Sequence, residues 1–463
     1  MNKKDFKRYM KQGLGRCALF LQSTEDREPY KEIVLWGCLH DLSFDTQSEG
    51  TRASYMYHLT TYFKDENDFL LPIVKALETV PRKSDWLLLH LCELLQCFAE
   101  NGSALAKNAL MKKYDQLFSV LSNKRISRGY DYERDAFERV AIVLFELRGT
   151  DVLWKIVDDM GCLFRKNPRY GANDFEWFAD RAESRLGKKR FHALLARKAE
   201  QSESILRFYQ SLMKTQNPTD TVCPSSRKPL EIPCADDIER EVFASGELSP
   251  VSRVRFSRRG TDEEKRKLAE SIRTQSDPDL KAELLSAFAY RSDGFPLSHE
   301  IIIEYSRSAH ETFSEVAFDV LTNCRSEAVK AYAQALLSAG THTAHAVQML
   351  ITNYSEDVKE LLLAALSEIK ADARDTSDHH AIGLKILGAG ERNIKLPKEC
   401  FLYIYHTTLC SLCREYAVSA LAKRRALTRE IIEECRFDSN ADIVRYVNQY
   451  YPAKPFLKER NIP

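Results

Sequence analysis

Between Ser84 and Glu100, Trp86, Leu87, Leu88, Leu89, Leu91, Cys92, Leu94, Leu95, Cys97 and Phe98 leave little room for polar side chains. His90, Glu93, Gln96 and Glu100 recur at intervals of 3, 3 and 4, the narrow polar stripe of a single helix. Such a helix has to be covered by neighbours on at least two sides. Ser84 is placed to cap its start, and Asn101-Gly102 supplies a left-handed stop. The same periodicity predicts helices over Arg52–Phe63, Phe69–Val80, Ala104–Leu121, Tyr132–Leu147 and Lys188–Met213. Gly149-Thr150 and Lys166-Asn167-Pro168 read as turns. No stretch of comparable length alternates as a strand would.

Pro218, Pro224, Pro229, Pro233 and Pro250 then interrupt the pattern. Proline removes a backbone donor and restricts the residue before it, so helices are expected to stop here. The predicted organisation is an N-terminal helical lobe over 1–215, a proline-rich linker over 216–250 and a second lobe over 251–463.

The second lobe carries clearer punctuation. Thr261 with Glu264 forms a capping-box pattern, Asp277-Pro278 an N-cap followed by a first-turn proline, and Ser355 and Ser439 are further candidate caps. Ala282, Ala317, Ala346, Ala381 and Ala417 each precede an apolar residue by three positions: Leu285, Val320, Met349, Leu384 and Ala420. The alanines are separated by 35, 29, 35 and 36 residues. A small residue returning once per helix pair is what stacked hairpins require, because it lets each inner helix approach the next. Asp277 through Leu285 and Cys413 through Leu421 resemble the second helix of HEAT repeats, and the resemblance extends over about residues 260–450. It implies an all-α superhelix, a HEAT-like solenoid in two lobes. Arrays of that kind mostly act as binding scaffolds, although one family of DNA glycosylases is also built this way.

Composition narrows the classes. Lys and Arg number 68 against 67 Asp and Glu, so 68 − 67 leaves +1, which excludes a strongly basic coat or an acidic tail as the main business of the chain. The 44% of apolar residues is enough for a large core and excludes global disorder. With 17 Gly and 15 Pro, the chain is poor in the turn residues that a many-stranded barrel needs. After Lys3, Lys4, Lys7 and Arg8 the apolar run Cys17–Leu21 is too short for a signal peptide, and Leu361–Leu366 is far too short to span a bilayer. A cytoplasmic protein with reduced thiols and no membrane partner is expected.

Candidate chemistry is sparse. Cys400, His406, Cys410 and Cys413 form the densest group of soft ligands; on one continuous helix the last three fall roughly 240°, 280° and 220° from the first. A turn near Thr408–Ser411 would spoil that alignment, and packed cysteines account for the pattern without metal. His342 and His345 lack the Glu of a metalloprotease helix, and Cys223 with Cys234 has no second pair. Gly13-Leu14-Gly15 is not a nucleotide fingerprint, and no P-loop or nucleophile elbow occurs. The polar stretches Asp45–Arg52 and Asn173–Arg181 read first as capped helix entrances and second as groove linings. No catalytic, metal or cofactor residue is assigned.

Basic runs provide the one functional hint: Arg253, Arg255, Arg258 and Arg259, with Lys188-Lys189-Arg190 and Lys423-Arg424-Arg425. The four arginines are the candidate contacts to an anionic partner. The expected function is a non-catalytic scaffold that binds a protein along its concave surface. The second reading is a nucleic-acid-binding solenoid of glycosylase type, whose arginines and lysines would converge on one concave face.

Overall fold

The computed structural model describes residues 1–80, 85–123, 131–167, 169–216, 234–290, 295–369 and 376–452. These residues form 27 α-helices and three short 3-10 segments, with no strand among them. None of the described helices is long and apolar enough to cross a membrane. The expected all-α class is what the chain adopts. The helices group into two compact units, Met1–Cys223 with Leu409–Leu412 and Thr428–Pro463, and Pro224–Thr408 with Cys413–Leu427.

The first unit begins with α1 (Lys3–Gln12), α2 (Arg16–Ser23), α3 (Glu28–Cys38), α4 (Thr46–Glu49), α5 (Ala53–Thr60) and α6 (Asn67–Thr79). It continues with α7 (Asp85–Glu100), α8 (Ala104–Asn123), α9 (Tyr132–Arg148), α10 (Thr150–Lys166), α11 (Glu176–Leu186), α12 (Lys188–Ala199) and α13 (Glu203–Gln216). α7 packs on α5, α6, α8 and α9, as its apolar surface demands. Coverage goes further than the stripe predicts. His90 is fully buried, with Nε2 3.2 Å from the Cys38 carbonyl, and burial holds its imidazole down at about 4. Gly102, at φ +104°, ends the helix as expected; the Ser84 cap lies outside the described residues.

The helix predicted over Lys188–Met213 is two. Ser202 caps α13: its Oγ accepts from the Ile205 amide at 3.3 Å and donates to Asp158 Oδ1 at 2.5 Å. A local side-chain acceptor at the N-terminus competes with helix continuation.

Much of the predicted 216–250 linker, residues 217–233, lies outside the described residues. The remainder is not a connection: α14 (Ala235–Ser245) occupies it, and Pro250 is the first residue of α15 (Pro250–Arg259), where a missing amide costs nothing. The second unit continues with α16 (Asp262–Thr274), α17 (Pro278–Ser286), α18 (His299–Tyr305), α19 (Glu311–Leu321), α20 (Glu327–Ala339) and α21 (Thr343–Thr352). It closes with α22 (Lys359–Glu368), α23 (Thr376–Gly388), α24 (Lys398–Thr407) and α25 (Ser411–Lys423). α17 packs on α19, α19 on α21 and α21 on α23, while α18 packs on α20 and α22 on α24. Ala282, Ala317, Ala346 and Ala417 are buried within α17, α19, α21 and α25.

The caps follow the sequence in part. Thr261 accepts from the Glu264 amide at 3.2 Å, but the Glu264 carboxylate turns away to the Ala235 amide at 2.6 Å. Asp277 accepts from the Asp279 and Leu280 amides, at 2.9 and 3.4 Å. Ser355 occupies an N-cap position without a capping bond and accepts from Lys330 Nζ at 2.7 Å. Asn440, rather than Ser439, caps the last helix.

The chain does not end in the second unit. α26 (Arg429–Cys435) and α27 (Ala441–Tyr450) belong to the first, so 251–463 is not one compact body. Gly13 and Gly15 make this return fit. The Ser439 amide donates to the Gly13 carbonyl at 2.8 Å, and a Cβ on Gly15 would lie 1.9 Å from the Glu434 carbonyl oxygen. Arg16 also meets Glu434 through two hydrogen bonds, the second of 3.1 Å.

Candidate functional site

A groove of about 710 Å³ lies in the second unit along the C-terminal ends of α17, α19, α21 and α23. Ala289 and Tyr290 follow α17; Asp319, Thr322 and Asn323 come from the end of α19; Gln348, Ile351 and Thr352 from α21; Ala381, Leu384, Lys385 and Gly388 from α23. Arg253 of α15 closes one part, and Glu391, Arg392 and Ile394 another. The lining thus comes from the last turns of these helices and the residues just after them.

Helix ends leave carbonyls unpaired, and the groove wall is built by satisfying them. Lys385 Nζ donates to the Thr322 carbonyl at 3.0 Å and to Asn323 Oδ1 at 2.6 Å. Thr352 Oγ1 donates to the same Thr322 carbonyl at 2.7 Å, and Asn323 Nδ2 to the Ala289 carbonyl at 3.1 Å. Lys385 is thereby tied across two helices. Burial and then the Arg392 charge push its amine down to about 7, against the pull of Asp319 and Cys324. Asp319 is itself engaged: its Oδ1 lies 3.5 Å from His345 Nε2. Burial alone would lower that imidazole, but Asp319, with Glu315 and Asp378, raises it above its ordinary value. Two large apolar side chains remain exposed on the groove, Tyr290 at 49% and Leu384 at 51%. Leu384 follows Ala381 by the repeat spacing, yet unlike Leu285, Val320 and Met349 it is not covered.

The four arginines of α15 do not share one face. Arg253 lines the groove and pairs with Glu283 at 3.3 Å, its Nε buried without a hydrogen-bond partner. Arg255, Arg258 and Arg259 are exposed and lie roughly 140° to 240° around the helix from it. Lys188 pairs with Glu183 at 3.4 Å. Arg424 lies over the Phe401 ring at 4.2 Å and donates to the Ala420 carbonyl at 3.2 Å, as a cation at a helix C-terminus should.

The helix does break between Thr407 and Ser411, so Cys400 and Cys413 sit on different helices. Cys413 Sγ instead meets His380 Nδ1 of α23 at 3.7 Å. Cys400 is buried and its thiol pushed up to about 12, His406 is exposed, and Cys410 falls in the 409–412 stretch grouped with the first unit. His342, left-handed at φ +47°, stacks on Phe318 with ring centroids 4.0 Å apart, and His345 faces Asp319. Cys223 lies outside the described residues, and Cys234 Sγ contacts Asp237 at the start of α14.

Each polar stretch of the first unit is tied into its packing at a few residues, while others, Trp177 among them, stay exposed. Arg52 is 3% exposed and donates to the carbonyls of Lys11 and Leu409. Asp174 pairs with Arg134 at 2.9 Å, and the Phe178 amide donates to Glu138 at 2.9 Å. Burial pushes that Glu138 carboxyl up to about 7.

No local sequence pattern marks the groove. Lys385 sits one residue past a repeat position, a lone charge in the apolar second half of α23, and that placement is the available signal. No family model matches the chain, and no curated protein matches it. A solved structure of an engineered protein aligns over 97% of this chain and 98% of its own at 14% identity; its TM-score of 0.16 is too low to carry any argument.

Proposed function

We propose that the chain is a non-catalytic helical-repeat scaffold, HEAT-like in its second unit, that binds a protein partner along the groove formed by α17, α19, α21 and α23. The observation that carries this reading is the exposure of Tyr290 and Leu384 inside a concavity. Apolar side chains exposed together in a concavity suit a protein interface, and tyrosine is enriched among interface anchors. The polar wall around it is already hydrogen-bonded, so a partner would meet a surface held in place. The repeat of helix ends gives such a groove length, and the stacking of α17 through α23 supports a solenoid.

The test is substitution of the anchors. A partner captured by the full chain should be lost from a Tyr290→Ser, Leu384→Ser variant and kept by an Arg255→Glu, Arg258→Glu, Arg259→Glu variant. Loss in the arginine variant with retention in the groove variant would contradict the proposal. A nucleic-acid reading draws on the same three exposed arginines. It predicts duplex binding that weakens steeply with salt and disappears in the arginine variant.

A further inference from the structure

The surroundings of Lys385 have a consequence that does not depend on any protein partner. A neutral primary amine offers two N–H donors and one lone pair. The Thr322 carbonyl and Asn323 Oδ1 accept from Nζ, at 3.0 and 2.6 Å, so two of its substituent directions are taken up by the wall. The remaining direction belongs to the lone pair when the amine is neutral, and Lys385 lines an open groove of about 710 Å³. Arg392 lines the same groove, and no ion pair engages it among the described residues. A nucleophile and a guanidinium thus border one concavity. That arrangement suits a ligand with a carbonyl next to a carboxylate.

We propose that Lys385 is a covalent anchor for small 2-oxo acids, its Nζ condensing with the ligand's carbonyl while Arg392 receives the carboxylate. The lone pair adds to the carbonyl carbon, giving a carbinolamine. The hydroxyl then takes up a proton from solvent and leaves as water, and a protonated C=N bond replaces C=O, with no change of oxidation state. The protonated imine keeps one N–H, which one of the two wall acceptors can hold. The charged and titratable groups around Nζ are Arg253 from α15, Tyr290 after α17, Asp319 and Cys324 from and after α19, and Glu391 and Arg392 beyond α23; α21 contributes Gln348 to the wall, with His345 held by Asp319. Burial together with Arg392 keeps the amine largely neutral near pH 7.5, where an exposed lysine is almost wholly protonated.

The test is reductive trapping on the full chain: pyruvate with sodium cyanoborohydride at pH 7.5, followed by peptide mapping. Exposed Lys395 and Lys423 serve as internal references. Lys385 should gain the carboxyethyl group at least tenfold faster than either. The Lys385 to Lys395 ratio should fall by more than tenfold between pH 7 and 9, because an ordinary lysine gains neutral amine steeply over that range. In an Arg392→Gln variant the pyruvate ratio should drop at least fivefold further than the ratio measured with propanal, which has no carboxylate and registers only the lost effect of the guanidinium on the amine. Equal labelling of Lys385 and the reference lysines in the wild-type chain overturns the proposal. So does an Arg392→Gln variant in which the pyruvate and propanal ratios change alike. Both outcomes leave the partner reading untouched, because neither involves Tyr290 or Leu384.

Discussion

Lys385 shows how one residue's environment sets its chemistry. In the unfolded chain its amine has the ordinary lysine value, and in the fold burial and Arg392 bring it down to about 7. Below pH 7 both states are charged, and the fold bears the full cost of the desolvated ammonium. Between about 7 and 10 the unfolded chain holds a proton that the folded chain has lost, so stability rises with pH in that window. Relative to Lys385→Met, the wild-type chain should therefore gain about 2.5 kcal/mol between pH 7 and pH 9, read from urea unfolding at each pH. A gap independent of pH would contradict the assignment. Gly15 gives a second residue-scale expectation. A methyl group there meets the Glu434 carbonyl oxygen, so Gly15→Ala should cost about 1–3 kcal/mol in the same measurement. Neither effect was legible in the sequence. Gly13-Leu14-Gly15 could be excluded as a phosphate loop, but its partner lies over 400 positions away. Lys385 looks like any polar residue on a helix until the end of α19 is placed beside it.

At the scale of elements the sequence was more informative, because caps and periodicity act locally. The spans of α7, α8 and α9 agree with their apolar patterns to within a few residues, and Thr261 and Asp277 cap where predicted. The misreadings share a cause. Ser202 and Asn440 are capping residues whose competitors, a continuing apolar pattern and a neighbouring serine, gave equally good local signals. Only the contacts to Asp158 and to the Asp442 and Ile443 amides decide between them. Ser202→Ala should accordingly cost about 1–2 kcal/mol, through the lost cap and the unpaired Asp158 oxygen, measured by thermal or urea unfolding. The alanine phase makes a further element-scale prediction. Ala346 is fully buried in α21, where the small side chain permits close approach to its neighbours. Ala346→Leu should cost about 1–3 kcal/mol. The same change at Ala381, which borders the groove, should cost much less.

At the scale of the whole molecule, connectivity departs most from the linear reading. The proline-rich stretch marks a change of unit, yet α26 and α27 return to the first, and no local pattern announces that exchange. The arginine cluster was conspicuous in sequence because its members are adjacent, but a helix spreads adjacent residues around its axis, and only Arg253 enters the groove. The groove itself is assembled from residues about 30 positions apart, which is why it appears only when the ends of successive helices are set side by side. The most direct test of its role is amide hydrogen exchange on the full chain, free and bound to a captured protein partner. Exchange should slow at the ends of α17, α19, α21 and α23, around residues 286–290, 319–323, 348–352 and 384–392, with 255–259 unchanged. Protection confined to 255–259, with those four helix ends exchanging as in the free chain, would contradict that role.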